Sequence, residues 1–229
     1  MTEKHSAKPA TKRRQLPVWQ ESILLVITAM VMAVIVKTFF LQAFYIPSES
    51  MEPTMLVNDK ILVQKVSYWT GDVKRGDVVV FDDPGGWLGP EDSRHASNPI
   101  SRSLEVVGLF PTGGHLIKRV IGVGGDKVVC CTVKGKLTVN GKVLDEPYLL
   151  DQQAPASDQA FNVVVPKGHL WVMGDNRGNS ADSRSHLGDP GGGFIAEKEV
   201  VGKAWLRVWP WSRAGIIHKP STFEAVNGK

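Results

Sequence analysis

The chain has 229 residues, with 27 Lys and Arg against 23 Asp and Glu and a formal net charge of +4. Charged residues at 22% and hydrophobic residues at 42% exclude wholesale disorder and fit one medium domain with extensions. The basic residues form no long cluster interleaved with aromatics, which argues against a nucleic-acid partner.

The N-terminus holds the sharpest local bias, with Lys4, Lys8, Lys12, Arg13 and Arg14 against Glu3. An uncharged run, "ILLVITAMVMAVIV", follows from Ile23 to Val36, and after Lys37 "TFFLQAFYI" resumes it. A helix over 19–45 would rise roughly 40 Å, enough to cross a bilayer and its interfaces. The pattern predicts a basic cytoplasmic tail (1–18) and a single transmembrane anchor (19–45), with everything beyond it translocated. Trp19 and Phe44–Tyr45 suit the two interfaces, and Lys37 can snorkel outward. Two rivals stand beside this reading. A cleaved signal peptide should show a small-x-small site, which "FFLQAFYIP" lacks. A buried core helix would also be apolar on all faces.

Beyond residue 45 short β-branched runs recur: "ILVQKV" (61–66), "DVVVF" (77–81), "LIKRVIGV" (116–123) and "DKVVCCTV" (126–133). "KLTVNGKVL" (136–144), "FNVVV" (161–165), "HLWVMG" (169–174) and "VVGKAWLRVW" (200–209) continue the series. Turn residues bound most of them, as in an antiparallel β domain. Asn140–Gly141 supplies the positive φ of a type I′ hairpin turn. Residues 82–115 look like a surface excursion, and 145–160 read as loop. Cys130 and Cys131 are neighbours, with Cα atoms ~3.8 Å apart where disulfides span about 4.4–6.8 Å. They are expected as a strand pair, one in and one out, and not as a metal site.

Two serines, Ser48 and Ser50, stand between prolines in "IPSESMEPTM". A free hydroxyl is a poor nucleophile, so the chemistry turns on a base. His115, His169 or His186 with Asp175 or Asp182 offers a Ser-His-Asp arrangement, although neither serine lies in a G-x-S-x-G elbow. The alternative is a lysine. "LIKRVIG" puts Lys118 and Arg119 on opposite faces of a strand, and only lysine can lose its proton when buried. Two solvated charges on an edge strand would read the same way. "GDNRGNSADSR" (174–184) is a turn-rich polar loop in which Asp182 and Arg184 can pair; it does not match a calcium loop. "GVGGD" (122–126) joins two strands and is a tight turn, not a phosphate cradle.

"IPSESMEPT", "LIKRVIGVGGD" and "MGDNRGNSADSR", in this order behind an apolar segment, resemble the bacterial type I signal peptidases over residues 20–210. The resemblance implies a mainly β fold: one transmembrane helix, then a largely antiparallel β catalytic domain (46–212). A smaller β subdomain (about 127–167) is inserted in it, and a C-terminal tail (213–229) follows. It implies Ser50 as nucleophile, Lys118 as general base, and Ser48 with the Ser50 N–H as oxyanion hole. Ser180 would orient the lysine, Asp182 and Arg184 would support the site, and Gly174 would let chains approach closely. Gly124 stands where the family commonly has proline. The implied activity is endoproteolytic removal of signal peptides from translocated preproteins at Ala-x-Ala sites, by a monomer in the cell membrane without metal or cofactor. Trp209 and Trp211 would either help the domain rest on the lipid surface or serve ordinary packing. A related Ser-Lys protease with a specialised substrate would share these motifs. A catalytically silent membrane-tethered binding domain would be expected to have lost Ser50 or Lys118, and both are present.

Overall fold

A computed structural model describes residues 17–39, 41–65, 72–89 and 114–227. The basic tail before residue 17 and most of the 82–115 excursion lie outside these residues. Helix α1 spans Val18–Phe39, and its side chains from Val18 to Val34 are largely exposed and apolar. Among the described residues no helix is long and apolar enough to cross a membrane. The helix also ends earlier than the sequence suggests. Residues Leu41–Tyr45 form strand β1, paired antiparallel with β2 (Lys60–Gln64) from Leu41↔Gln64 to Tyr45↔Lys60. Phe44 turns into the core while Tyr45 faces out. The period-two alternation of a half-buried strand thus overrides the continuous apolar pattern.

Eight strands build the main sheet in the order β1-β2-β11-β3-β4-β9-β10, with β12 on β11. Here β3 is Val78–Asp82, β4 His115–Val123, β9 His169–Met173, β10 Ile195–Ala196, β11 Val200–Trp209 and β12 Gly215–Ile216. Every pairing in it is antiparallel. A second sheet of four, β7-β6-β5-β8, comprises β5 (Lys127–Cys130), β6 (Thr138–Val139), β7 (Lys142–Val143) and β8 (Phe161–Val164). The β6–β7 hairpin turns through Asn140 and Gly141 at φ 53° and 79°, the geometry their residue types favour.

The Gly124–Gly125 turn between the sheets is closed by buried Asp126, which accepts from Arg75 Nε at 2.5 Å and Asn140 Nδ2 at 2.9 Å. A core containing Ile121, Val128, Trp171 and Met173 joins the two sheets, and Phe223 of α2 (Thr222–Asn227) completes it. A second core of Phe44, Ile46, Met51, Met55, Ile61 and Ile117 lies beneath the Ser48–Ser50 segment. The two cysteines depart from the expected pattern. A cis peptide bond brings their Cα atoms to 3.0 Å, and Cys130 and Cys131 are joined as a disulfide. The expectation of two separate thiols assumed the longer trans spacing.

Candidate functional site

A short 3-10 turn, Glu49–Met51, follows β1, and Met51 and Met55 seat it in the second core. Ser50 sits in that turn 7% exposed. Strand β4 lies between β3 and β9, so both of its cations are enclosed: Lys118 is 4% and Arg119 1% exposed. The solvated edge-strand arrangement is thereby excluded. Lys118 Nζ donates to Ser50 Oγ at 2.7 Å. Burial holds the Lys118 ammonium down to about 8, against the opposing pull of the Asp182 and Asp175 carboxylates. An amine so placed is neutral in about one molecule in ten at pH 7, against fewer than about one in a thousand for an ordinary lysine, and in that form it can accept a serine proton.

Among the described residues no Ser-His-Asp chain forms. His169 and His186 bond Lys167 O and Asp189, and His115 lies 2.7 Å from the Asp82 carboxylate. Asp175 instead receives both Nε and Nη2 of Arg119, at 2.8 and 2.6 Å, and Thr54 Oγ1 at 2.5 Å. Asp182 receives Arg184 through Nε and Nη2, both at 2.8 Å. Burial alone would raise the Asp182 carboxyl, but Arg184 and the Gly174 N–H keep it below the usual carboxylate range.

The other residues named from the sequence gather around the same two atoms. Ser48 Oγ is 3.3 Å from Ser50 Oγ, on the side open to solvent. A Cβ on Gly174 would collide with Ser180 Oγ and with the Ser50 carbonyl oxygen, so this glycine sits between the Ser50 turn and the polar loop. Asn176 N donates to Ser50 O at 3.1 Å and clamps the loop to the turn. Ser180 Oγ is buried beside Asp182 but makes no hydrogen bond to Lys118 in this arrangement. Asp175 was expected only as the acid of a Ser-His-Asp arrangement, and Thr54, Arg177, Glu146 and Tyr148 were not among the expected site residues. Thr54, Asp175 and Arg177 lie close to the motifs. Glu146 and Tyr148 lie in a stretch that reads as loop, and no local pattern marks them.

Among the described residues, β4 pairs with β9 only from Arg119 onward, so Leu116–Lys118 lie beyond the end of that ladder. β1 is the outer strand of the sheet, and Phe44 meets His115 edge-to-face at 5.3 Å, so the two strands converge.

A family model described as "Signal peptidase, peptidase S26" matches residues 19–209. The chain is 41% identical over 236 residues to a probable signal peptidase I of Mycobacterium leprae, covering 90% of this chain and 81% of that one. It is 40% identical to signal peptidase I of Mycobacterium tuberculosis, over 86% and 75% of the two chains. A probable signal peptidase I-2 of Synechocystis is 36% identical, over 99% and 90%. The chain belongs to the signal peptidase family, peptidase S26, and is a serine peptidase of the bacterial type I group.

Proposed function

We propose that the protein removes signal peptides from translocated preproteins by a Ser50/Lys118 dyad while held at the membrane by α1. The observation that carries this is the 2.7 Å contact between a buried lysine and a buried serine, with the lysine held down to about 8. Neutral Lys118 takes the proton of Ser50 Oγ as that oxygen attacks the scissile carbonyl. The Ser50 N–H and the Ser48 hydroxyl bond the oxyanion, a contribution of about 3–4 kcal/mol per donor in comparable sites. The Lys118 ammonium then returns the proton to the departing amine, leaving an ester on Ser50. Water, deprotonated by the same lysine, hydrolyses it.

An extended substrate fits beside β1 and the first residues of β4 by main-chain hydrogen bonds. Small residues before the cut suit the closely packed Ile46, Met51 and Ile117 floor. Anchoring is supported by the exposed apolar side chains of α1 and by the basic residues preceding it. Trp209 and Trp211 are 46% and 77% exposed with ring centroids 6.2 Å apart, which suits lipid contact better than core packing. The catalytic domain would lie outside the cytoplasmic membrane and act as a monomer.

Detergent-solubilised full chain, assayed on a peptide with an Ala-x-Ala site, tests the dyad. Ser50→Ala and Lys118→Ala should each lower kcat by at least about 10⁴-fold. Substantial cleavage by either variant, or none by the unmodified chain, overturns the reading.

A further inference from the structure

Glu146 and Tyr148 stand on the segment that leaves the small sheet, outside the group around Ser50. The Glu146 carboxylate is nonetheless sealed against the polar loop: Oε1 accepts from Arg177 Nη2 at 2.5 Å and Oε2 from Arg177 Nη1 at 3.2 Å. Tyr148 donates its hydroxyl to Glu146 Oε1 at 2.6 Å, and its ring centre lies 4.3 Å from the Arg119 guanidinium carbon. Burial and the adjoining Glu146 charge push the phenol up, so it remains a donor. Arg177 ties the loop to itself. Its Nε donates to Gly174 O at 2.9 Å, and its own carbonyl accepts from Arg184 Nη2 at 2.9 Å.

Three carboxylates, Asp175, Asp182 and Glu146, therefore each hold one guanidinium, of Arg119, Arg184 and Arg177 respectively. The charges cancel pair by pair in the buried layer behind Lys118. We propose that Glu146, braced by Tyr148, is a positioning residue of the peptidase reaction: it fixes Arg177 and, through it, holds the Gly174–Arg184 loop against Ser50. The proposal rests on the Ser50/Lys118 reading of the site.

Removing the Glu146 charge leaves a buried guanidinium that cannot shed its proton. The loop must then move to hydrate Arg177 or keep an uncompensated positive charge. Both outcomes reach the dyad. The groups facing Lys118 are Ser50, Asp182, Asp175 and Arg184; those facing Glu146 are Arg177 and Tyr148, with Arg119 and Asp175 beyond the phenol. Extra positive charge in this layer disfavours the lysine ammonium and moves the acidic limb of the rate profile to lower pH. A displaced loop lowers turnover but leaves the groove between β1 and β4, and hence KM, in place.

Glu146→Gln keeps the shape and Tyr148→Phe removes only the hydroxyl. Both are made in the full chain, with kcat and KM followed from pH 6 to 10 and active sites titrated by a serine-reactive probe. Glu146→Gln should lose at least about tenfold in kcat per titrated site with KM within about twofold. Its acidic limb should shift to lower pH, and Tyr148→Phe should show a smaller loss in kcat. Unchanged turnover per titrated site with an unmoved limb overturns the proposal, even where the active fraction has fallen. If Glu146→Gln does not fold, an unaltered kcat per site in Tyr148→Phe overturns it. Cleavage by Ser50→Ala would instead sink the dyad, and the proposal with it; failure of the positioning role alone leaves that control silent.

Discussion

A lysine serves as a base near neutral pH only where water is denied to it. At Lys118 burial does this: the side chain is only 4% exposed and ends on Ser50. Only the neutral amine can take the serine proton, and burial places its titration at about 8. The sign follows: kcat/KM should rise about tenfold per pH unit below about 8 and level off above it. Steady-state kinetics across this range checks it, and a flat profile would remove Lys118 from the role. The neighbouring residue shows why Arg119 cannot substitute. It is equally buried, but its permanent charge is committed to Asp175 through Nε and Nη2 while Nη1 donates to Gly76 O.

At the scale of elements, the loop Gly174–Arg184 works because it can approach the Ser50 turn so closely. Gly174→Ala would push a methyl group into Ser180 Oγ and the Ser50 carbonyl. We expect kcat to fall by about 10²-fold with little change in melting temperature, read from matched kinetics and thermal unfolding. Much of this element-level picture was legible in the sequence. The runs at 77–81, 116–123, 161–165, 169–174 and 200–209 became strands, because alternating β-branched residues and bounding turns are local signals. The pairing of Asp182 with Arg184 was legible for the same reason, two residues apart in one loop. Strand β1 was not, since its apolar residues continue those of α1 and only tertiary pairing with β2 separates them. Glu146, Tyr148 and Thr54 were not legible either. Their partners lie 31, 29 and 121 residues away, at Arg177, Arg119 and Asp175, distances over which no periodicity operates.

Across the whole molecule, the C-terminal segment binds the two sheets into one body. Phe223 is fully buried, stacks with Tyr148 at 6.0 Å and presses against Gly76, where no side chain could fit. Phe223→Ala should cost about 3–5 kcal/mol of stability, measured by denaturant unfolding of the solubilised protein. The opposite end of the fold is bound as firmly. Helix α1 stops at Phe39 and β1, already hydrogen-bonded to β2, starts at Leu41. A tether of that kind has almost no slack. The domain cannot wander over the helix as a bead on a string would; tilt of α1 must be passed on to the strand that leads to Ser50. On the proposed anchoring by α1, the reach of the active site above the membrane is a built-in ruler, set by a few extended residues and not by a linker's random walk.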